Sequence, residues 1–150
     1  MRADVFDPVK RSAVMRAVKS RDTAPELKVR AAARDLGYAR RYRLNNTALP
    51  GKPDLVFGAM RKVIFVHGCF WHGHDCARGA RQPTTNAAYW QAKIARNRAR
   101  DGTTIIALAE AGWKTVTIWE CETREAHALA KLIKKRMRLG GIGKGIGRRA

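Results

Sequence analysis

The alternation of apolar and polar positions along the chain predicts a mixed set of elements. "KRSAVMRAVKSRDTAPELKVRAAARDLG" reads as two helices broken at "SRDT". The first, around residues 8–19, is short and basic and is expected to pack incompletely. In the second, Thr23 and Glu26 form a Thr-x-x-Glu capping box, Pro25 falls in the first turn and Gly37 ends the helix. "YARRYRLNNTALPGKP" reads as a basic strand, then a loop punctuated by Asn-Asn and Pro-Gly. "DLVFG" and "KVIFVHG", separated by "AMR", predict a β-hairpin. "TTNAAYWQAKIARNRARDG" reads as a helix, followed by a second helical stretch, "TTIIALAEAG", that ends at Gly112. "WKTVTIWEC" has the pattern of a buried strand and "ETREAHALAKLIKKRMR" that of a last helix. "LGGIGKGIGRRA" is a Gly-rich basic tail, expected to be disordered and to offer a loose electrostatic contact. Helices flanking a small mixed sheet make an α/β domain.

Composition sharpens the functional picture. A chain of 150 residues with 45% hydrophobic content has enough apolar material for one packed domain. Its 31 Lys+Arg against 12 Asp+Glu give a formal net charge of +19. So large an excess repels itself in the folded state and points to a polyanionic partner. Nucleic acid fits better than a membrane surface, because no apolar run reaches transmembrane length. The bland alternative is a protein that is merely basic. "MRADVFDPVKRS" contains no apolar stretch of the secretory kind, so a cytoplasmic protein is expected. Three cysteines, in a reducing compartment, favour metal binding over disulfides.

Chemistry concentrates in "HGCFWHGHDC", residues 67–76. Cys69, His74, Cys76 and Cys121 are suited to tetrahedral zinc, a use that consumes every cysteine in the chain. Four protein ligands leave no open position, so such a zinc would be structural. Ordinary buried thiols with a surface histidine are the alternative, since the spacing is not a common finger pattern. Asp54 stands at the mouth of the first hairpin strand and His67 at the end of the second. A Pro-Asp step into a strand beside an apolar strand ending in a polar side chain is a way to hold magnesium through oxygen ligands. Here the second strand has no acid-x-Lys, and Val66 can offer only its carbonyl. Asp54 also has a plain role in satisfying the "PGKP" turn, and Glu26 one as a capping residue. His72 could take a proton from an attacking water, with Asp101 as its orienting partner.

Together "LPGKPD", "VIFVHGCFWHGHDC", "YWQAKIARNRARD" and "WKTVTIWEC" resemble the Vsr (very short patch repair) endonucleases of bacteria, in order over roughly residues 10–125. The resemblance implies a restriction-endonuclease-like fold, a variant of the PD-(D/E)xK type with a structural zinc site, and magnesium-dependent nicking of DNA at a mismatch. It implies cleavage 5′ to the thymine of a T:G pair, leaving 5′-phosphate and 3′-hydroxyl ends. By the same resemblance Asp54 and the Val66 carbonyl would hold magnesium, while His67, His72 and Asp101 would organise and activate water. Glu26 matches the family's acid on the early helix, and Cys69, His74, Cys76 and Cys121 match its zinc ligands. Phe70, Trp71 and Trp90 match an aromatic wedge, and Met15 an apolar residue on a basic N-terminal arm (residues 1–22) that contacts DNA. Lys93 and Asn97 match positions that contact the mismatched pair. The endonuclease domain would span residues 23–138, with the tail at 139–150 outside the match. A monomeric, nucleoid-associated enzyme is expected, with a mismatch-recognition protein and a repair polymerase as further partners. Two departures stand out: Val66 where the family often has Thr, and Gly73 and Asp75 where it usually has more histidines.

Rings anchored between metal ligands can enter a duplex with little loss of side-chain freedom. Trp90, Lys93, Asn97 and Asp101 recur at helical intervals and share one face if their helix is continuous. Trp90 packed with Ile94 in the core is the alternative. Two further readings stay open: a nuclease of the same fold with another specificity, and a non-catalytic zinc module that binds DNA.

Overall fold

A computed structural model of the chain describes residues 22–44, 48–77, 79–81 and 84–139. The helix expected around 8–19, Met15 and the basic tail beyond Leu139 lie outside the described residues.

Helix α1 spans Ala24–Asp35. Thr23 caps it, its hydroxyl accepting the Glu26 N–H at 3.4 Å. The reciprocal half of the box closes one residue early, because the Glu26 carboxylate accepts the Asp22 N–H at 2.7 Å rather than that of Thr23. Gly37, at φ +94°, ends the helix. There the Tyr38 and Gly37 N–H groups donate to the Ala33 and Arg34 carbonyls, the Schellman pattern that satisfies a helix C-terminus.

The basic strand expected over "YARRYRL" shrinks to two residues, β1 (Arg43–Leu44). Tyr38 and Tyr42 turn inward instead and set their rings 5.4 and 5.5 Å from that of Phe57. The hairpin forms as expected, with β2 (Leu55–Phe57) and β3 (Lys62–His67) joined through a 3-10 turn at Gly58–Met60. The two helical stretches expected between residues 84 and 112 are one helix, α2 (Ala87–Glu110). Gly102 sits inside it without breaking it; a single glycine costs about 1 kcal/mol in a helix interior, which a 24-residue helix tolerates. Strand β4 (Lys114–Trp119) and helix α3 (Ala126–Leu139) complete the fold.

The sheet order is β1-β2-β3-β4; β1, β2 and β3 pair antiparallel, and β3 pairs parallel with β4. A parallel pair needs a crossover, and α2 supplies it. Alternation along the strands divides the core. Leu55, Phe57, Ile64, Val116 and Ile118 pack with Val29 of α1 and Leu129, Ile133 and Met137 of α3. Val56, Val63 and Phe65 face the other way, toward Leu108 of α2. Strand parity therefore sends His67, two residues beyond Phe65, to the face that α2 covers.

Candidate active site and metal centre

Asp54 enters the sheet just before β2, its N–H donating to the Ile64 carbonyl at 3.0 Å. Its Oδ2 accepts the Val66 N–H at 2.7 Å. The carboxylate is thereby fixed on the β3 backbone next to His67. Burial pushes its pKa up to about 6, against the pull of the Val66 N–H, and the neighbouring Glu26 adds to the rise. A carboxylate whose charge burial disfavours is one that a bound cation would stabilise.

His67 is 7% exposed. Burial lowers its pKa to about 3, with His72 contributing and Asp101 opposing, so the ring is neutral in ordinary buffers. Its Nδ1 is buried without a hydrogen-bond partner among the described residues. The His72 ring lies parallel to it, with centroids 3.9 Å apart and planes 2° from coplanar. His72 Nδ1 meets Asp101 Oδ2 at 2.6 Å. With the proton on Nδ1, its Nε2 is an acceptor. Ligand-capable atoms of His67, His72 and Asp101 lie within 4.8 Å of one another. A cavity of about 320 Å³ gathers Glu26, Asp54, Val66, His67, His72 and Asp101 on its wall.

Continuity of α2 matters here. Asp101 from its middle reaches this cavity, while Trp90 from its first turn reaches the aromatic tract. Phe70, Trp71 and Trp90 form a three-ring cluster with edge-on centroid separations of 5.3, 5.9 and 5.5 Å. All three rings are half-buried, and Tyr89, 53% exposed, extends the cluster outward. Trp90 thus packs against other tract rings and not into the sheet core. Lys93 is half-buried on the same helix. Asn97 donates from Nδ2 to the Trp71 carbonyl at 2.8 Å, and its Oδ1 accepts from Arg100. Asn97 therefore braces the tract, a role its spacing alone does not reveal. Gly73, at φ +64°, lets the tract lie against α2: a Cβ there would stand 2.8 Å from Arg98 Cδ and 2.9 Å from Ile94 Cγ2.

Beyond the rings, Cys69, His74, Cys76 and Cys121 bring three sulfurs and an imidazole nitrogen within 4.8 Å of one another. This set could hold a metal ion. Cys69 is fully buried. Burial pushes its thiol up to about 12. In Cys76 burial also works upward, yet the Gly79 N–H and the hydrogen bonds from His74 and the other two cysteines bring it down to about 6. Of the three thiols, that of Cys76 gives up its proton most readily, and the set of donors suits a soft cation. Gly79 closes the loop where a Cβ would meet the His74 carbonyl oxygen at 2.1 Å. Trp119, absent from the sequence-based site, joins the two centres. Its ring stacks on His74 at 4.2 Å and stands edge-on to His67 at 5.3 Å.

Comparison with known proteins gives the arrangement its class. The chain is similar to the type II nicking enzyme V.XorIIP of Xanthomonas oryzae pv. oryzae, 45% identical over 126 residues that cover 84% of this chain and 90% of the relative. It is similar to the DNA mismatch endonuclease Vsr of Escherichia coli (strain K12), 43% identical over 127 residues, 85% of this chain and 80% of the relative. The type II nicking enzyme V.NmeAIP of Neisseria meningitidis is 40% identical over 121 residues, 81% of this chain and 84% of the relative. Relatives of this kind, aligned over most of both chains, make the protein a DNA endonuclease. The family model described as "DNA mismatch endonuclease Vsr" matches residues 3–78, and the chain belongs to the Vsr family. That match contains Glu26, Asp54, His67, His72 and three of the four sulfur-site ligands. Asp101 and Cys121 lie beyond it and reach their partners through α2 and β4.

Proposed function

We propose that this protein nicks one strand of duplex DNA 5′ to the thymine of a T:G mismatch by magnesium-dependent hydrolysis, starting very short patch repair on a restriction-endonuclease-like fold. The observation that carries the proposal is the single cavity holding Asp54, His67, His72 and Asp101 beside a half-exposed ring cluster. Asp54 and the Val66 carbonyl would hold magnesium, which would supply Lewis-acid stabilisation of charge on the phosphodiester. His72 accepts the proton of the attacking water at Nε2, and Asp101 holds its ring and balances the imidazolium that results. Neutral His67, stacked on His72, offers its unpartnered Nδ1 to water or phosphate. Glu26, buried at the edge of the cavity, adds the second carboxylate near Asp54. Zinc at Cys69, His74, Cys76 and Cys121 would be structural, anchoring the ring-bearing loop.

Phe70, Trp71 and Trp90 enter the duplex and unstack it at the mismatch, where opening costs least. Lys93 and Asn97 lie next along α2 toward the cavity. Asn97 meets the mismatched pair only by giving up part of its bracing of Trp71. Phe70→Ala is expected to slow nicking of a T:G duplex about 5- to 150-fold, the equivalent of about 1–3 kcal/mol of lost stacking. A duplex already opened by an unpaired bubble is expected to restore most of that rate. Equal slowing on both substrates would sink the wedge role.

The decisive experiment is a nicking assay with magnesium on T:G, other mismatched and fully matched duplexes. Nicking confined to T:G supports the proposal, and cutting of matched DNA at the same rate removes it. One second reading deserves the same assay, because several relatives are named nicking enzymes and not mismatch enzymes. It is a nickase of the same fold with a different mismatch or sequence preference.

A further inference from the structure

We propose that Lys52 holds the phosphate beside the cleaved bond, an inference that rests on the cavity being a DNA-nicking site. Residues Leu49 to Lys52 form a turn closed by the Lys52 N–H donating to the Leu49 carbonyl at 3.1 Å. Pro50 second and Gly51 third, at φ +76°, are what a type II turn requires. Gly51 has another reason to lack a side chain. A Cβ there would lie 2.5 Å from Thr104 Cγ2 and 3.1 Å from the Phe65 ring. The turn is thus packed closely between α2 and β3.

Lys52 follows in the left-handed region at φ +50°. Glycine takes that conformation freely, and asparagine or aspartate can offset it with a local hydrogen bond; lysine has neither advantage. Pro53 adds to the conflict, since a residue before proline is biased toward extended backbone. Two local rules are broken at one residue, and that residue lines the catalytic cavity. Backbone strain at such a place is the mark of a side chain kept for what it touches.

The wall of the cavity shows what that is. Its carboxylates are Glu26, Asp54 and Asp101, and its two full-time cations are Lys52 and Arg100. Arg100 already gives Nη1 to Asn97 Oδ1. No described residue bonds the Lys52 ammonium. Between clamped Gly51 and sheet-bonded Asp54, the Lys52 backbone is held at a fixed place two residues from the proposed metal-binding carboxylate. A phosphodiester entering among three carboxylates needs a cation beside them, and an ammonium that no described residue bonds, carried on a closely packed turn, supplies it.

The test uses the full chain with Lys52→Gly and Lys52→Arg. Glycine suits the backbone, so Lys52→Gly is expected to melt at the same temperature as the parent or up to about 3 °C higher. Its single-turnover nicking of a T:G duplex is expected to fall about 10- to 100-fold. With calcium replacing magnesium, the slope of log affinity against log salt should lose about 0.9, one phosphate contact. Lys52→Arg should keep that slope and recover part of the rate. Parental nicking by Lys52→Gly, or an unchanged salt slope, would overturn the proposal. If the parent nicks no duplex at all, the nuclease assignment fails, and the salt slope of Lys52→Gly still decides whether this residue meets phosphate.

Discussion

Asp54→Asn is expected to abolish nicking, by at least about 1,000-fold, and to leave the metal-free protein more stable than its parent at pH 7.5. The asparagine keeps an oxygen to accept the Val66 N–H, so the local geometry survives. What it removes is a negative charge that burial disfavours. The folded-state pKa of Asp54 lies above its unfolded value, moving from 3.8 to about 6. A group shifted this way favours folding when protonated, so its penalty is absent below about pH 4, grows through the interval up to 6 and is complete above it. At about 1.4 kcal/mol per unit, the full penalty is about 3 kcal/mol. His67 complicates the raw pH profile in the opposite sense. Its depressed pKa of about 3 means that folding loses stability as pH falls below 6.5. Parent and variant share that loss, so their difference isolates Asp54. Urea unfolding across this range should show the two proteins converging near pH 4 and separating as pH rises. Magnesium should then raise the melting temperature of the parent and not of the variant. A pH-independent gap, or a variant that still nicks, would remove Asp54 from the metal site.

The parts of this design that could be seen in the sequence are those whose cause is local. Thr23, Pro25 and Gly37 bound α1 because capping chemistry acts within four residues. The hairpin follows from two short apolar runs on either side of a three-residue break. The sulfur site was legible for another reason: cysteine is rare here, and all three fall on one ligand set. Where local rules competed with tertiary packing, packing won. Tyr38 and Tyr42 look like strand residues but are drawn onto Phe57, so β1 is left with two residues. Gly102 and the threonines after it suggest a helix boundary, yet α2 runs through because both its halves have a surface to cover. Lys52 and Trp119 were invisible for a geometric reason. One enters the cavity through a turn conformation that its residue type disfavours. The other reaches His67 and His74 through the parity of a strand whose parallel pairing to β3 only the fold supplies.

Emptying the proposed cation site at Cys69, His74, Cys76 and Cys121 is the other change expected to be catastrophic, although no atom of that set lines the cavity that holds Asp54 and His72. The loop from Gly68 to Arg81 carries His72 and two of the three rings, yet its described residues form no helix or strand. Its contacts are mainly turn hydrogen bonds, such as the His74 N–H on the Cys69 carbonyl and the Ala80 N–H on that of Cys76, with Asn97 and Arg98 holding it from α2. Cys121 is the only sulfur ligand from outside the loop, so a shared cation would tie the exit of β3 to the end of β4. Losing it leaves three crowded sulfurs, that of Cys69 fully buried. Trp119 would pass the disturbance on, because the ring that supports His74 also borders His67. Cys69→Ala, or prolonged chelation, is therefore expected to lower the melting temperature by roughly 10–20 °C and to abolish nicking even in saturating magnesium. Zinc, and not further magnesium, should restore both in the chelated protein. A purified protein with no bound transition metal, or a Cys69→Ala variant that nicks at the parental rate, would show that the loop stands without its ion.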